Sequence, residues 1–353
     1  MPEQWELIER EAFRSQERSI DLRIALVGAV LVTGPLLIGV ALGNSMLGLM
    51  CSLGGLNTAL AMSEGNRRQL ARWGALALGG GTVGVATASV VQDSEWLSVA
   101  AALIWCLAWS MLRAGGPSAT MVGFVVSAVF IVANGLHSSS PGSFAVSLVY
   151  ALGAAAALLV MLAPTPRASD TPTSGDRVPL ITSVVKAIRA GGVVRFSALR
   201  VGVVVAVSVA LYQSFHLSYG YWMPLTALAV MQPDAHGTWV KSLQRAVGTV
   251  LGAMLAAGIA VVSRDVWILV VAVLVASGAM FALRDKGYHW MVSMLTPTVL
   301  LMISVVKFQG WKLAALRVAN TALGIALALS AVGLTDLVRR LASSRARTRI
   351  DRG

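Results

Sequence analysis

A chain of 353 residues that is 56% hydrophobic and only 12% charged, with a mean hydropathy of +0.74, carries more apolar surface than one soluble core can bury. This excludes a soluble globular enzyme and leaves a polytopic membrane bundle. The formal charge of +12 sits mainly in short loops and in the run Arg345-Ala-Arg-Thr-Arg349, so it reads as contact with anionic lipid headgroups and not with nucleic acid.

The first 21 residues are crowded with Glu and Arg, and Trp5, Ile8 and Ala12 share one helical face. Residues 1–21 are therefore expected to be a cytoplasmic amphipathic elbow, without the apolar heart of a cleavable signal. A helix needs roughly 20 apolar residues to cross about 30 Å of hydrocarbon. On that length, spans are predicted at 22–42, 45–63, 73–91, 96–112, 118–136 and 144–163, a first six-helix half over 22–163.

Residues 164–179 are too polar and too rich in proline to pack, and read as a linker. Ile181, Val184, Val185 and Ile188 then form a second elbow, so 164–198 is linker plus elbow. Spans at 199–215, 220–232, 246–263, 266–283, 288–306 and 313–335 make a second half over 199–336, and 337–353 is a basic cytoplasmic tail.

The halves repeat one another. Asn57-Thr58-Ala-Leu-Ala returns as Leu225-Thr226-Ala-Leu-Ala, and Arg18 with Leu22-Arg23 returns as Arg195 with Leu199-Arg200 at an offset of 177. The expected fold is an all-α polytopic membrane protein, with about twelve transmembrane helices in two homologous six-helix halves. With both termini cytoplasmic, 24 of the 28 basic residues fall inside, leaving Arg264, Lys307, Lys312 and Arg317 outside.

The second half holds a finer repeat. Arg245-Ala-Val-Gly-Thr249-x-x-Gly252 and Arg317-Val-Ala-Asn320-Thr321-x-x-Gly324 share one form, and Trp-Met stands upstream of each at 222 and 290. The two lie three helices apart, an odd number that inverts orientation. Each half is then expected to be two inverted three-helix units, which puts Arg317 on the far side.

The apolar run from Tyr221 ends early at Gln232-Pro233-Asp234, and its partner in the first half is interrupted by Gly54-Gly55. Broken helices at matching positions point to a transport site, because unwound backbone at depth is tolerated only where protein or a water-filled cavity surrounds it. The plainer alternative is a bent packing helix. Arg72, Arg245 and Arg317 begin glycine-rich helices and offer fixed positive charge to an organic anion, or else snorkel to the interface. Tyr221, Trp222 and Trp290 line an aromatic surface or belong to the headgroup belt.

Asp234 is expected to pair with Arg245 across a loop or to titrate during coupling. Every acid sits near a span end or outside the spans, so none is an evident relay at mid-membrane; His216 and His289 lie near interfaces. Cys51 and Cys106 lack the paired spacing of a thiolate metal site.

The residues Tyr221-Trp-Met-Pro-Leu-Thr226, Gln232-Pro-Asp234, Arg245-Ala-Val-Gly-Thr249, Gly252, Thr296-Pro297 and Arg317-x-x-Asn-Thr-x-x-Gly324 resemble the membrane module of the fusaric-acid-resistance and aromatic-acid-exporter family. Plant malate channels of the aluminium-activated type resemble the same module. The likeness covers 199–335, and reaches the first half through the internal repeat, where Thr58, Arg72 and Gly79 persist and the Pro-Asp pair does not. It implies an integral inner-membrane transporter, in that family often an exporter of aromatic carboxylates, without identifying the substrate. Many members carry a large soluble domain between the halves, where this chain has linker and elbow.

The expected substrate path comprises Asn57, Thr58, Arg72, Tyr221, Trp222, Thr226, Gln232, Asp234, Arg245, Thr249, Thr296, Arg317 and Asn320. No catalytic residue, metal site or cofactor is expected. The expected partners are the lipid bilayer and a small organic anion, with protons as a candidate coupling ion. A passive anion channel and a non-transporting scaffold held by Gly-x-x-x-Gly contacts are the alternatives. The chain carries no phosphate-binding loop, zinc-protease helix or nucleophile elbow, which ranks an intramembrane enzyme last.

Overall fold

The computed structural model describes residues 20–62, 66–136, 143–163 and 192–350, with positions 182, 185 and 189 between them. The elbow expected over 1–21 lies almost wholly outside the described residues, as do the linker and most of the second elbow. Among the described residues there are twelve α-helices. In the first half these are α1 (Leu22–Ala41), α2 (Ser45–Ala61), α3 (Arg67–Val91), α4 (Glu95–Ser110), α5 (Pro117–Gly135) and α6 (Ser143–Met161). The second half holds α7 (Val193–Ser214), α8 (Trp222–Val230), α9 (Ala235–Val262), α10 (Val266–Leu283), α11 (Tyr288–Val306) and α12 (Trp311–Ile350).

Ten of the twelve are long and apolar enough to cross a membrane; α2 is apolar but has 17 residues, and α8 has nine. Exposed Leu26, Val30, Ile104, Leu152, Val262 and Val275 face outward, where a soluble protein would bury them and a bilayer solvates them. The chain is a multi-pass all-α membrane protein.

Local chemistry sets the helix ends. The Asp21 carboxylate caps α1 by accepting from the Arg23 and Ile24 amides, and Asn66 with Gln69 forms a reciprocal capping box on α3. Two expectations change. Gly54-Gly55 does not break α2, which runs unbroken through both. The pair instead lets α2 lie against the Tyr150 carbonyl of α6 and the Leu31 carbonyl of α1, where a side chain would collide with backbone. The basic tail is helical, because α12 continues to Ile350 without a breaker.

The packing follows the repeat. The chain divides into four successive three-helix units, α1–α3, α4–α6, α7–α9 and α10–α12. Within each half the second helix of one unit packs on the third of the other: α2 on α6, α3 on α5, α8 on α12 and α9 on α11. The third helices also pack on each other, α3 on α6 and α9 on α12, while the first helices join the halves as α1 on α10 and α4 on α7. Such exchanged pairing is what two inverted units related by a pseudo-twofold axis produce.

Matched glycines mark the exchange in the second half. A side chain on Gly252 of α9 would come within 2.5 Å of the Ser293 carbonyl and 2.8 Å of Thr296 on α11. On Gly324 of α12 it would meet the Met223 carbonyl at 2.5 Å and Thr226 of α8 at 2.8 Å. The apolar interior forms two clusters, and each mixes residues of both halves.

Candidate functional site

The four second helices, α2, α5, α8 and α11, enclose a cavity of about 90 Å³ where the halves meet. Its wall is mainly apolar, with Leu53 and Leu60 of α2, Phe124 and Val129 of α5, Trp222 of α8, and Val299 and Ile303 of α11 among its members. The polar groups are few: Asn57 of α2, Tyr221 before α8, and the guanidiniums of Arg245 and Arg317, brought in by the third helices α9 and α12. The repeated words meet here, since Asn57 and Leu225 both line the cavity and the threonine after each is buried behind it.

Arg245 is 2% exposed and Arg317 4% exposed. Arg245 Nη1 lies 3.5 Å from the Tyr288 hydroxyl, while its Nε has no hydrogen-bond partner. The guanidinium carbon of Arg317 sits 5.0 Å from the centre of the Trp222 ring, and its Nη1 is likewise without a partner. Neither arginine forms an ion pair among the described residues. Two uncompensated buried cations on one small cavity cost several kcal/mol each in desolvation, and a bound anion offsets that cost.

Helix α8 is short for reasons legible in its flanks. Before it, His216 (φ 49°) and Tyr219 (φ 53°) take left-handed backbone and reverse the chain after α7. Pro224 falls in the first turn, where its missing N–H costs nothing. At the other end the helix stops at Met231, which is extended, and Pro233, two residues on, has no N–H to continue the helix and biases Gln232 out of the helical region.

The carbonyls left at that break are held by two arginines. Arg113 donates to the Met231 carbonyl (2.8 Å) and to Ser197 Oγ (3.2 Å). Arg200 donates to the carbonyls of Gln232 and Pro233, the latter at 3.1 Å. A first-half and a second-half guanidinium thus clamp the C-terminal end of α8, the end that favours cations.

At the N-terminal end Tyr219 stacks on Trp222 (5.1 Å between ring centres), and Tyr221 meets Trp222 edge to face at 5.6 Å. Tyr221 and Trp222 are interior residues, so the belt alternative does not hold for them; Trp290 is half-exposed. Thr226, Thr249 and Thr296 are buried at the helix crossings behind the cavity, with hydroxyls that lack partners. Thr58 is placed likewise on α2. Asn320 donates to the Ser218 and Leu316 carbonyls at 3.2 and 3.0 Å, tying α12 to the turn before α8.

Other expected residues lie elsewhere. Arg72 is exposed on α3, its guanidinium over the Trp73 ring at 5.3 Å. Gln232 stands at the clamped end of α8. Asp234 does not pair with Arg245; its carboxylate caps α9 by accepting from the Gly237 amide at 2.6 Å, because α9 begins at Ala235, well before the expected 246. Arg317 is buried nearly two turns into α12, which starts at Trp311. Sequence reasoning missed the clamp of Arg113 and Arg200, whose loop positions look like ordinary positive-inside residues. It also missed Lys241, whose ammonium lies 4.0 Å from the Tyr288 ring centre, one turn before Arg245.

Residues 192–331 match the family described as fusaric acid resistance protein-like. An uncharacterized protein of Haemophilus influenzae is 30% identical over 135 residues, covering 38% of this chain and 19% of that protein. The uncharacterized protein ORF2 of Neisseria gonorrhoeae is 29% identical over 135 residues, 38% of this chain and 32% of its own. The inner membrane protein YccS of Escherichia coli is 32% identical over 141 residues, 38% of this chain and 19% of its own. The chain thus spans about a fifth to a third of the length of these relatives. No solved structure matches it. The segment that holds α8 and both buried arginines is thus similar to the fusaric acid resistance protein-like family.

Proposed function

We propose that the protein exports small organic anions across the inner membrane through the cavity between its halves. The observation that carries this reading is the pair Arg245 and Arg317, buried and, among the described residues, without ion pairs, on one cavity whose wall is otherwise mainly apolar. A carboxylate satisfies the guanidiniums by charge-assisted bonds, and an apolar body fits the leucine and valine wall. Fusaric acid, the pyridine carboxylate in the family's description, is a molecule of this kind. The remaining residues of the expected path then act indirectly: Thr226, Thr249, Thr296 and Asn320 hold the crossings, and Gln232 and Asp234 shape the end of α8.

Among the described residues no Asp or Glu lines the cavity, which favours a second reading as a passive anion channel. Efflux of labelled benzoate and of labelled malate from cells expressing the parent or Arg245→Ala, with and without a proton uncoupler, tests both. Efflux that needs Arg245 and the gradient supports the exporter, and efflux that needs Arg245 alone supports the channel. Efflux of either acid that is unchanged by Arg245→Ala, or no efflux of either, overturns the anion path.

A further inference from the structure

Beside the cavity between the halves lies a larger polar space. That space, a vestibule of about 440 Å³, is bordered by Asp93, Glu95, Gly135, Gln213, His216 and Leu217. Among the described residues one side chain borders both volumes: Tyr221, itself 2% exposed.

Its seat is on the opposite half. Gly135 ends α5, and a Cβ built there would run into Tyr221 Cβ and lie 2.5 Å from Cγ and Cδ1. At this point the Tyr221 side chain rests on the bare backbone of Gly135, in the place a first-half Cβ would take. Leu136, the next residue, faces the cavity, so the change from one space to the other occurs within that single step.

The ring is carried by a turn that can store motion. His216 and Tyr219, both non-glycine residues in left-handed backbone, lie within five residues before Tyr221. The turn is held to the start of α12, where Gln309 Nε2 donates to the Tyr219 hydroxyl at 2.5 Å and Asn320 Nδ2 to the Ser218 carbonyl at 3.2 Å. Asn320 is one helical turn from Arg317, whose guanidinium lies over Trp222, the neighbour of Tyr221 in sequence and in space. The group that meets the anion and the anchor of the partition share one helix.

We propose that Tyr221, seated on Gly135, is the barrier between the inter-half cavity and the vestibule, and that α12 positions it through the Ser218–Tyr219 turn. The reading rests on the anion path proposed above for its purpose, but the barrier itself is testable without any substrate. The test uses the full-length protein in lipid nanodiscs with Cys51→Ser and Cys106→Ala, and with Leu225→Cys as a reporter inside the cavity. The rate of modification by the impermeant anion sulfonatoethyl methanethiosulfonate is measured. Leu217→Cys, which borders the vestibule alone, serves as the accessible control.

Tyr221→Ala is expected to speed modification of Leu225→Cys about tenfold or more, the scale of a modest shift in the open population, and Tyr221→Phe to leave it unchanged. Gly135→Ala, which evicts the ring from the other half, is expected to act like Tyr221→Ala. Leu217→Cys is expected to react equally fast throughout. Rates for Leu225→Cys that stay within twofold in either variant overturn the barrier, as does an equal rise at Leu217→Cys. Because no transported substrate enters the assay, the barrier and the anion path fail independently.

Discussion

The guanidinium of Arg317 lies 5.0 Å from the ring centre of Trp222, and both side chains are buried. An aromatic face attracts a cation, yet a contact worth about 0.5–2 kcal/mol does not offset the burial of a full charge, which costs several. Trp222 holds the guanidinium in place and leaves its charge available. The same imbalance holds for Arg245, whose contact is a long bond to the Tyr288 hydroxyl.

A cation kept for a ligand behaves unlike one kept for the fold. Arg317→Met removes an uncompensated buried charge and fills similar volume, so unfolding stability is expected to stay level or rise by about 1–4 kcal/mol. Anion efflux is expected to fall at least about tenfold, since a lost charge-assisted bond is worth about 1.5–3 kcal/mol. Thermal unfolding in detergent, set beside benzoate efflux, checks both signs. A fall in stability with efflux retained would mean that Arg317 is structural.

Arg113 and Arg200 are expected to show the opposite sign. Each donates to backbone carbonyls left without helical partners where α8 stops, and loss of either leaves part-buried acceptors unmet. Arg200→Ala or Arg113→Ala is expected to lower stability by about 2–4 kcal/mol, and Arg→Lys to recover only part, because an ammonium lacks the planar fork that spans two carbonyls. The unfolding midpoint in detergent is the measurement.

What the amino-acid sequence reveals here is periodicity and repetition. Apolar runs set the twelve helices, and Thr58-Ala-Leu-Ala with Thr226-Ala-Leu-Ala marks the two helices that face each other across the cavity. Arg245 and Arg317 were findable because their Arg-x-x-x-Thr-x-x-Gly words recur with inverted topology. The rest depends on geometry that composition does not encode. Gly54-Gly55 reads equally well as a break or as a close crossing, and only the Tyr150 and Leu31 carbonyls beside it decide. Arg113 and Arg200 carry the same local signature as Arg72, which stays at the surface, so nothing short of the fold separates them. The apolar wall from α2 and α5 has no signal at all, because any apolar helix supplies one.

The inverted pairing predicts matched responses at Gly252 and Gly324. A methyl group at either lands 2.5 Å from a carbonyl of the facing helix and 2.8 Å from a threonine Cβ, contacts that force the helices apart. Gly252→Ala and Gly324→Ala are each expected to destabilise by about 1–3 kcal/mol. Gly79→Ala and Gly258→Ala, where a methyl meets nothing within 4 Å, are expected to be neutral or stabilising by up to about 1 kcal/mol. Parallel unfolding curves for the four variants check the symmetry; a large difference between Gly252→Ala and Gly324→Ala would argue against equivalent crossings.

Asp234 separates a cap from a coupling group. Its carboxylate accepts from the Gly237 amide at the start of α9, and the residue is exposed. Asn caps a helix about as well as Asp, whereas Ala loses about 1 kcal/mol. Asp234→Asn is therefore expected to keep both stability and efflux, and Asp234→Ala to lose about 1 kcal/mol of stability with efflux largely kept. A proton-coupling carboxylate gives the reverse order, because Asn cannot ionise and would uncouple transport while leaving the fold intact. Efflux by Asp234→Asn across a pH series discriminates the two: a profile parallel to the parent supports the cap, and loss of the pH response would return Asp234 to the transport cycle.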